Sequence, residues 1–280
     1  MTTAETKPDS AAWDDALLQN PHAVADKRKR VQNMFAAIAP SYDLNNRLHS
    51  LWMDQRWRKK AVKLAELKPT DQVVDVACGT GDLTLKFLSA LAGLNLPLWP
   101  RRDQIVGIDF TFEMLPLARG KAERFGNDVL GAGTDALETW SSSVKLLNGD
   151  ATALPLANAS ADVLAIAFGI RNVQDPAAAI REFRRVLRPG GRLIILEFSL
   201  PTNPVLRGLY NFYFRKILPT TATLISGDKT GAYKYLPESV NTFIGRDQMM
   251  GMMTAAGFVR VEQFPMTFGV CVAYRGIVPG

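Results

Sequence analysis

The chain has 280 residues, 47% hydrophobic and 21% charged, the balance of a soluble globular enzyme with one sizeable core or one core and a small subdomain. No apolar run approaches the roughly 18 to 20 residues that span a bilayer, and the two cysteines, Cys78 and Cys271, make neither a disulfide framework nor a zinc site. The net charge of +6 is compatible with nucleic acid or anionic lipid as a partner, although each basic cluster reads equally as a solvated helix face.

Residues 1–26 are polar, acidic and alanine-rich, lack the basic-then-apolar order of a secretion signal, and are expected as a mobile tail on a cytoplasmic protein. A single domain is expected over 27–280. Its first helix, Ala25–Ala39, stops at Pro40; Ser41–Ser50 is a polar segment with few apolar anchors; a second helix, Leu51–Leu67, carries Trp52 and Trp57 among basic residues. Residues 27–67 thus form an N-terminal helical cap.

The pattern then alternates. Strands are expected at Gln72–Val76, Gln104–Ile108, Val144–Asn148, Ala161–Ala167, Gly191–Phe198, Val259–Phe264 and Val270–Arg275. Helices are expected at Leu83–Leu91, Thr111–Phe125, Pro176–Leu187 and Arg246–Ala256. This order builds an α/β fold with a doubly wound, Rossmann-like, mostly parallel seven-stranded sheet. Two segments look inserted: 93–102, with Pro97 and Pro100, and 127–143, rich in Gly, Thr and Ser and expected as a surface loop. From Ser199 to Gln248 four prolines punctuate an aromatic-rich stretch that is too apolar for a linker and too interrupted for a core βαβ unit. Residues 199–248 are expected as a substrate lid over the strand ends.

Chemistry concentrates at the first strand end. The β-branched run containing Asp75 leads into Gly79, Thr80, Gly81 and Asp82, a strand–turn–helix pattern in which glycine lets backbone approach a nucleotide-like ligand. The dinucleotide fingerprint needs a third glycine where Thr84 stands, and Asp82 would repel a pyrophosphate. An acid there suits a cationic amino-acid headgroup instead, which turns the loop toward S-adenosylmethionine, an ammonium and a sulfonium in one molecule. Asp109 ends the second strand, where it can accept from ribose hydroxyls, and Asp150, beside Ala151 after the third, suits an exocyclic amine. Each acid is also placed to cap a helix.

Downstream, a fourth strand through Ala167 runs into Gly169, Arg171 and Asn172, and a Pro-Gly-Gly turn after Arg188 leads into a fifth. This order resembles the class I S-adenosylmethionine-dependent methyltransferases, in which the last strand is antiparallel. Phe168–Val173, Arg185–Ser199, Tyr233–Ser239 and Ser41–Trp52 together resemble the ubiquinone/menaquinone biosynthesis C-methyltransferase family, from about Val31 to Arg275. Ala167 stands where some relatives carry serine, and Cys78 where glycine is common.

The resemblance implies methyl transfer from S-adenosylmethionine to a ring carbon of a polyprenylated quinol: reduced demethylmenaquinone, or alternatively 2-polyprenyl-6-methoxy-1,4-benzoquinol. It implies cofactor contacts from Asp75, Gly79, Thr80, Gly81, Asp82, Asp109, Asp150, Ala151 and Ala167. Arg171 and Asn172 would bind the developing quinolate oxygen, or else form a salt bridge and a helix cap. Tyr42 would close over the cofactor, and Asp43 or His49 would take a proton, a lone histidine being as well suited to a structural hydrogen bond. Tyr233 and Tyr235 would reach substrate from the lid or simply pack. The segment Tyr210–Phe214 with Arg207, Arg215 and Lys216 reads as a prenyl tunnel, as a peripheral contact at the inner face of the membrane, or as an ordinary buried helix. No metal site is expected. A nicotinamide dehydrogenase would need the missing glycine, and a base-modifying methyltransferase would carry a different motif where Gly169–Asn172 stands, so no nucleic acid is expected. A catalytically silent scaffold among quinone-biosynthesis partners is a third alternative.

Overall fold

The computed structural model describes residues 12–94, 103–130 and 143–280, with 126–130 described by backbone alone. The helices are α1 (Lys27–Ile38), α2 (Tyr42–Ser50), α3 (Met53–Leu64), α4 (Asp82–Ala92), α5 (Met114–Leu130), α6 (Pro176–Val186), α7 (Pro204–Phe212), α8 (Leu218–Ser226), α9 (Ala232–Asn241) and α10 (Arg246–Ala255). The strands are β1 (Val73–Val76), β2 (Ile105–Asp109), β3 (Val144–Asn148), β4 (Ala161–Ala167), β5 (Leu187–Phe198), β6 (Val259–Met266) and β7 (Cys271–Ile277). They form one sheet in the order β3-β2-β1-β4-β5-β7-β6. The first five run parallel, while β7 is antiparallel to both its neighbours.

Every residue of β1 and β2 is buried, as a parallel sheet covered on both faces requires. Alternation along the strands divides the core. Val74, Ile108, Ile166 and Ile195 face α6 and α10, burying Phe183 and Met253. Val73, Ile105, Val163 and Ile194 face α3 and α4, burying Trp57 and Phe87. The strand β5 continues back through the Pro-Gly-Gly turn to Leu187, because the turn bulges out between the pairs Ala161–Leu187 and Val163–Arg192.

A third core joins the N-terminal helices to the helices between β5 and β6. Met34 and Ile38 of α1, Phe214, Leu218 and Ala222 of the α7–α8 rod, and Tyr235 and Val240 of α9 pack together. A π-helical turn, Tyr213–Ile217, joins α7 to α8. Residues 12–26 depart from the expected mobile tail. Trp13 and Leu18 are buried in this third core, the Trp13 ring lies tilted 4.5 Å from Tyr235, and the Trp13 backbone N–H donates to the Thr230 carbonyl at 2.9 Å. The polar segment Ser41–Ser50 forms α2 from Tyr42 on, and the next helix, expected from Leu51, starts only at Met53, after Leu51 and Trp52 adopt left-handed φ of 50° and 59°. The expected surface loop at 127–143 begins later, since α5 continues to Leu130. The rest of that segment and most of 93–102 lie outside the described residues.

Candidate active site

The C-terminal ends of β1, β2, β3 and β4 meet at one edge of the sheet, the place where open α/β sheets bind ligands. After β1 the backbone turns through Ala77, Gly79 and Gly81, with φ of 53°, 54° and 85°. That left-handed conformation is cheap for glycine and costly for alanine. The loop also lies close to its neighbours: a Cβ on Gly169, after β4, would stand 2.6 Å from the Ala77 Cβ. Asp109 braces the turn from β2, accepting from the Gly79 N–H at 2.7 Å and the Thr111 N–H at 2.8 Å. Burial pushes its pKa up to about 6 against those two bonds.

These loops enclose a cleft of about 330 Å³. Phe110, Met114 and Ala151 give it an apolar slot suited to a purine face, and Gly79 and Thr111 line its rim. Asp150 lines it too; its Oδ1 accepts from the N–H and hydroxyl of Thr152, both at 2.8 Å. Its other oxygen meets Arg28 at 2.8 Å, and that guanidinium lies 4.4 Å over the Phe110 ring, so α1 closes the cleft. The donor set fits an adenosyl group: a flat apolar slot, a carboxylate at its edge and backbone exposed at glycines.

A second, inner cavity of about 60 Å³ adjoins it, and Phe35, Tyr42 and Phe168 line both. Phe168 is held at a φ of 59°, a strained position for an aromatic residue. Arg171 lines the inner cavity and is buried. Its Nη1 donates to Glu197 at 2.7 Å and to the Phe168 carbonyl at 2.8 Å, and its Nε to Ser239 at 3.3 Å. The loop carrying it is held from outside by Lys27, whose buried Nζ donates to the carbonyls of Arg171 at 2.8 Å and Val173 at 2.7 Å. Burial, helped by Arg171, lowers the Lys27 pKa to about 8. Asn172 lines the cleft, accepts from the Tyr235 hydroxyl at 2.9 Å and donates to the Phe168 carbonyl at 3.3 Å. Burial raises the pKa of Tyr42 and Tyr235, so both remain neutral phenols.

Above the glycine loop the cap is fastened by charge. Asp82 meets Arg47 of α2 at 2.6 Å and Lys121 of α5 at 2.6 Å. Lys121 also binds Asp43 at 2.6 Å, and Asp43 accepts from the Thr80 hydroxyl at 2.7 Å. Asp54 is engaged by Arg47 and by Arg58 at 2.7 Å. Burial alone would raise the pKa of Asp82, but Arg58, Lys121 and Arg47 hold it well below the usual carboxylate range.

The sequence-predicted residues therefore separate. Gly79, Asp150, Ala151, Ala167, Tyr42 and Asn172 line the cleft, and Arg171 the inner cavity. Gly81 and Asp109 shape the loop from behind. Asp75, Thr80 and Asp82 do not line the cleft. The Asp75 carboxylate is buried beneath the loop, accepting from the Thr84 hydroxyl at 2.5 Å, while the cations drawn to Asp82 are the protein's own. Asp43 belongs to the same fastening. His49 lines neither cavity: its ring nitrogens bond the Asn45 carbonyl at 2.9 Å and the Thr221 hydroxyl at 2.8 Å, tying α2 to α8. Sequence reasoning missed Arg28, Phe35, Phe110, Arg58 and Glu197. For Glu197 a signal existed, a lone acid closing the apolar run Leu193–Leu196.

The strand order, the antiparallel last strand and the glycine-walled cleft define the class I methyltransferase fold. The structure of a SAM-dependent methyltransferase from Thermotoga maritima aligns with a TM-score of 0.51, at 19% identity, over 88% of this chain and 99% of its own. The sequence matches the ubiE/COQ5 methyltransferase family over residues 23–278, and the chain belongs to that family. It is 42% identical over 255 residues to a ubiquinone/menaquinone biosynthesis C-methyltransferase from a Geobacter species, covering 91% of this chain and 99% of the relative. It is also 42% identical to the demethylmenaquinone methyltransferase of Thermus thermophilus, covering 88% and 100%. The protein is an S-adenosylmethionine-dependent methyltransferase.

Proposed function

We propose that the enzyme methylates a ring carbon of a polyprenylated quinol, reduced demethylmenaquinone, with the methoxy-benzoquinol of the ubiquinone route as the alternative acceptor. C-methylation in quinone biosynthesis rests on the family and on the relatives' names. The observation that carries the assignment of roles is the inner cavity, which shares Tyr42 and Phe168 with the cleft and contains the buried Arg171 guanidinium. S-adenosylmethionine in the cleft supplies a methyl group on a sulfonium centre.

A ring carbon becomes nucleophilic when an adjacent hydroxyl is partly or wholly deprotonated, its proton passing to water; after the methyl is transferred the same carbon releases its own proton and S-adenosylhomocysteine leaves. The protein residues favour that phenolate electrostatically. Arg171 uses Nε and Nη1 to hold Glu197, Phe168 and Ser239, which leaves Nη2 to donate to a quinolate oxygen. Arg58, 5.1 Å over the Phe168 ring, also lines the cavity, ion-paired with Asp54 at 2.7 Å. The neutral phenol of Tyr42 can donate to the other ring oxygen, and the aromatic walls orient the ring. At about 60 Å³ the cavity admits a quinol ring only when α2 moves outward, and the ion pairs of Asp82 and Asp43 are what such a movement breaks.

Among the described residues no helix is long and apolar enough to cross a membrane. With a lipid-soluble acceptor, the enzyme works in the cytoplasm, in peripheral contact with the inner face of the membrane and beside other enzymes of quinone biosynthesis. The test is incubation with S-adenosylmethionine and each reduced demethylated quinol, followed by mass spectrometry. The expected result is one added methyl on the menaquinol-type ring. No gain with either acceptor defeats the assignment and favours a silent scaffold.

A further inference from the structure

The helix α2 is turned inside out. Its Tyr42, Asn46 and Ser50 line the inner cavity and Asn45 is buried, while the residues it exposes are Leu44 and Leu48. Leu51 (79% exposed) and Trp52 (57%) continue that stripe from the two left-handed positions that follow. An amphipathic helix in water has its polar side outward; here the polar side faces in.

The rod of α7, the π turn and α8 repeats the arrangement. Phe214, Leu218 and Ala222 face the third core, yet α7 buries none of its residues. Val205, Leu209 (64% exposed) and Phe212 (63%) form a stripe at i, i+4 and i+7, and Leu224 is 79% exposed on α8. The two apolar surfaces are neighbours, because α2 packs on α8 and the His49 carbonyl accepts from the Tyr213 hydroxyl at 3.2 Å. From Pro204 to Ser226 the rod has three cations, Arg207, Arg215 and Lys216, and no acid. Arg215 is paired with Glu238 at 2.6 Å, Arg207 on the other side of α7 donates to the Pro201 carbonyl at 3.0 Å, and Lys216 is exposed one turn beyond Phe212.

We propose that this face of α2, α7 and α8 docks on an anionic lipid bilayer. Exposed leucine, phenylalanine and tryptophan suit the acyl boundary, and cations without acids suit lipid phosphates. The inference deepens the quinol reading and rests on it for its purpose: the helix that seats its apolar side in lipid lines the acceptor cavity with its other side, so the prenyl tail can stay in the bilayer while the ring crosses one helix width.

The test is flotation of the full-length protein with vesicles of equal parts phosphatidylcholine and phosphatidylglycerol, compared with phosphatidylcholine alone. The wild type should float with the anionic vesicles at low salt. The double variant Leu209→Glu, Phe212→Glu, and separately Leu224→Glu, should lose about ten-fold in vesicle affinity. Melting temperature and turnover of a water-soluble, short-tailed quinol should be unchanged in both. Wild type that does not float overturns the proposal, as do variants that float equally well. A dimer that these substitutions dissolve, without vesicle binding, assigns the face to a second copy and also overturns it. Wild type that floats but methylates neither short-tailed nor long-tailed quinol upholds the docking face and defeats the quinol reading.

Discussion

The floor and the roof of this site are built by different physics. The floor is backbone: strand ends, the left-handed turn at Gly79 and Gly81, and the approach of Gly169 to Ala77. The roof is side chain: Arg47, Lys121, Asp43 and Asp82 holding α2 and α5 over that turn. Backbone geometry changes little without unfolding, whereas ion pairs between side chains can separate and re-form while the fold persists. A rigid floor and a releasable roof suit an enzyme that must fix a small donor and admit a long acceptor.

The largest effect should come from the floor. Gly169→Val forces a side chain into the Ala77 contact at 2.6 Å. S-adenosylmethionine binding, followed by calorimetry, should weaken by about 100-fold, the equivalent of the roughly 3 kcal/mol that overpacking a close contact can cost. Binding within a few-fold of wild type would mean that the cleft has been misread.

Between floor and roof sits the Arg171–Glu197 pair. Arg171→Leu strands a buried carboxylate and should cost about 3–5 kcal/mol in chemical denaturation. Adding Glu197→Leu should recover part of that stability without restoring turnover. A double variant less stable than either single one would show that the two residues do not act as a pair.

Asp82→Asn separates two accounts of one acid. If Asp82 fastens the roof, the variant loses about 1–3 kcal/mol of stability, binds S-adenosylmethionine nearly as before, and turns over with altered salt dependence. If the acid instead receives the donor's ammonium, donor affinity falls by about ten-fold or more.

Asp75 offers a pH test of the floor. Burial raises its pKa to about 7 against the opposing bond from Thr84, so the folded state holds a proton that the unfolded chain releases. That contribution is complete below about pH 4 and is lost as pH rises through about 7. Asp75→Asn removes the dependence, and its melting temperature relative to wild type should rise progressively across that range. A constant difference would place the carboxylate in water. The smallest effect is expected for His49→Ala, about 1 kcal/mol of stability or less and under about three-fold in rate, because its bonds only join α2 to α8.

The same division governs what could be read from the sequence. Val144–Asn148 and Ala161–Ala167 form strands with the expected limits; the second is a nearly continuous apolar run buried inside the parallel sheet, and the first is a half-buried edge strand. The glycine turn was equally legible. The helix α2 was not, since its leucines face outward and its polar residues inward, opposite to the pattern that marks a helix of a soluble core. Trp13 and Leu18 are single anchors in an acidic, alanine-rich stretch, too sparse to produce a period. The partners that hold Asp82, Arg47 and Lys121, lie 35 and 39 residues away. No local pattern encodes such pairings.

That donor and acceptor occupy adjoining chambers, meeting between Tyr42 and Phe168, is the core of the proposed function. It is tested most directly by a crystal structure with S-adenosylhomocysteine and a reduced, short-tailed demethylmenaquinone. The adenosyl group is expected in the Phe110–Ala151 slot, the quinol ring in the inner cavity, and one ring oxygen within hydrogen-bonding distance of the Arg171 guanidinium. A ring bound elsewhere, with Arg171 still closed on Glu197 and no contact to the acceptor, would contradict it.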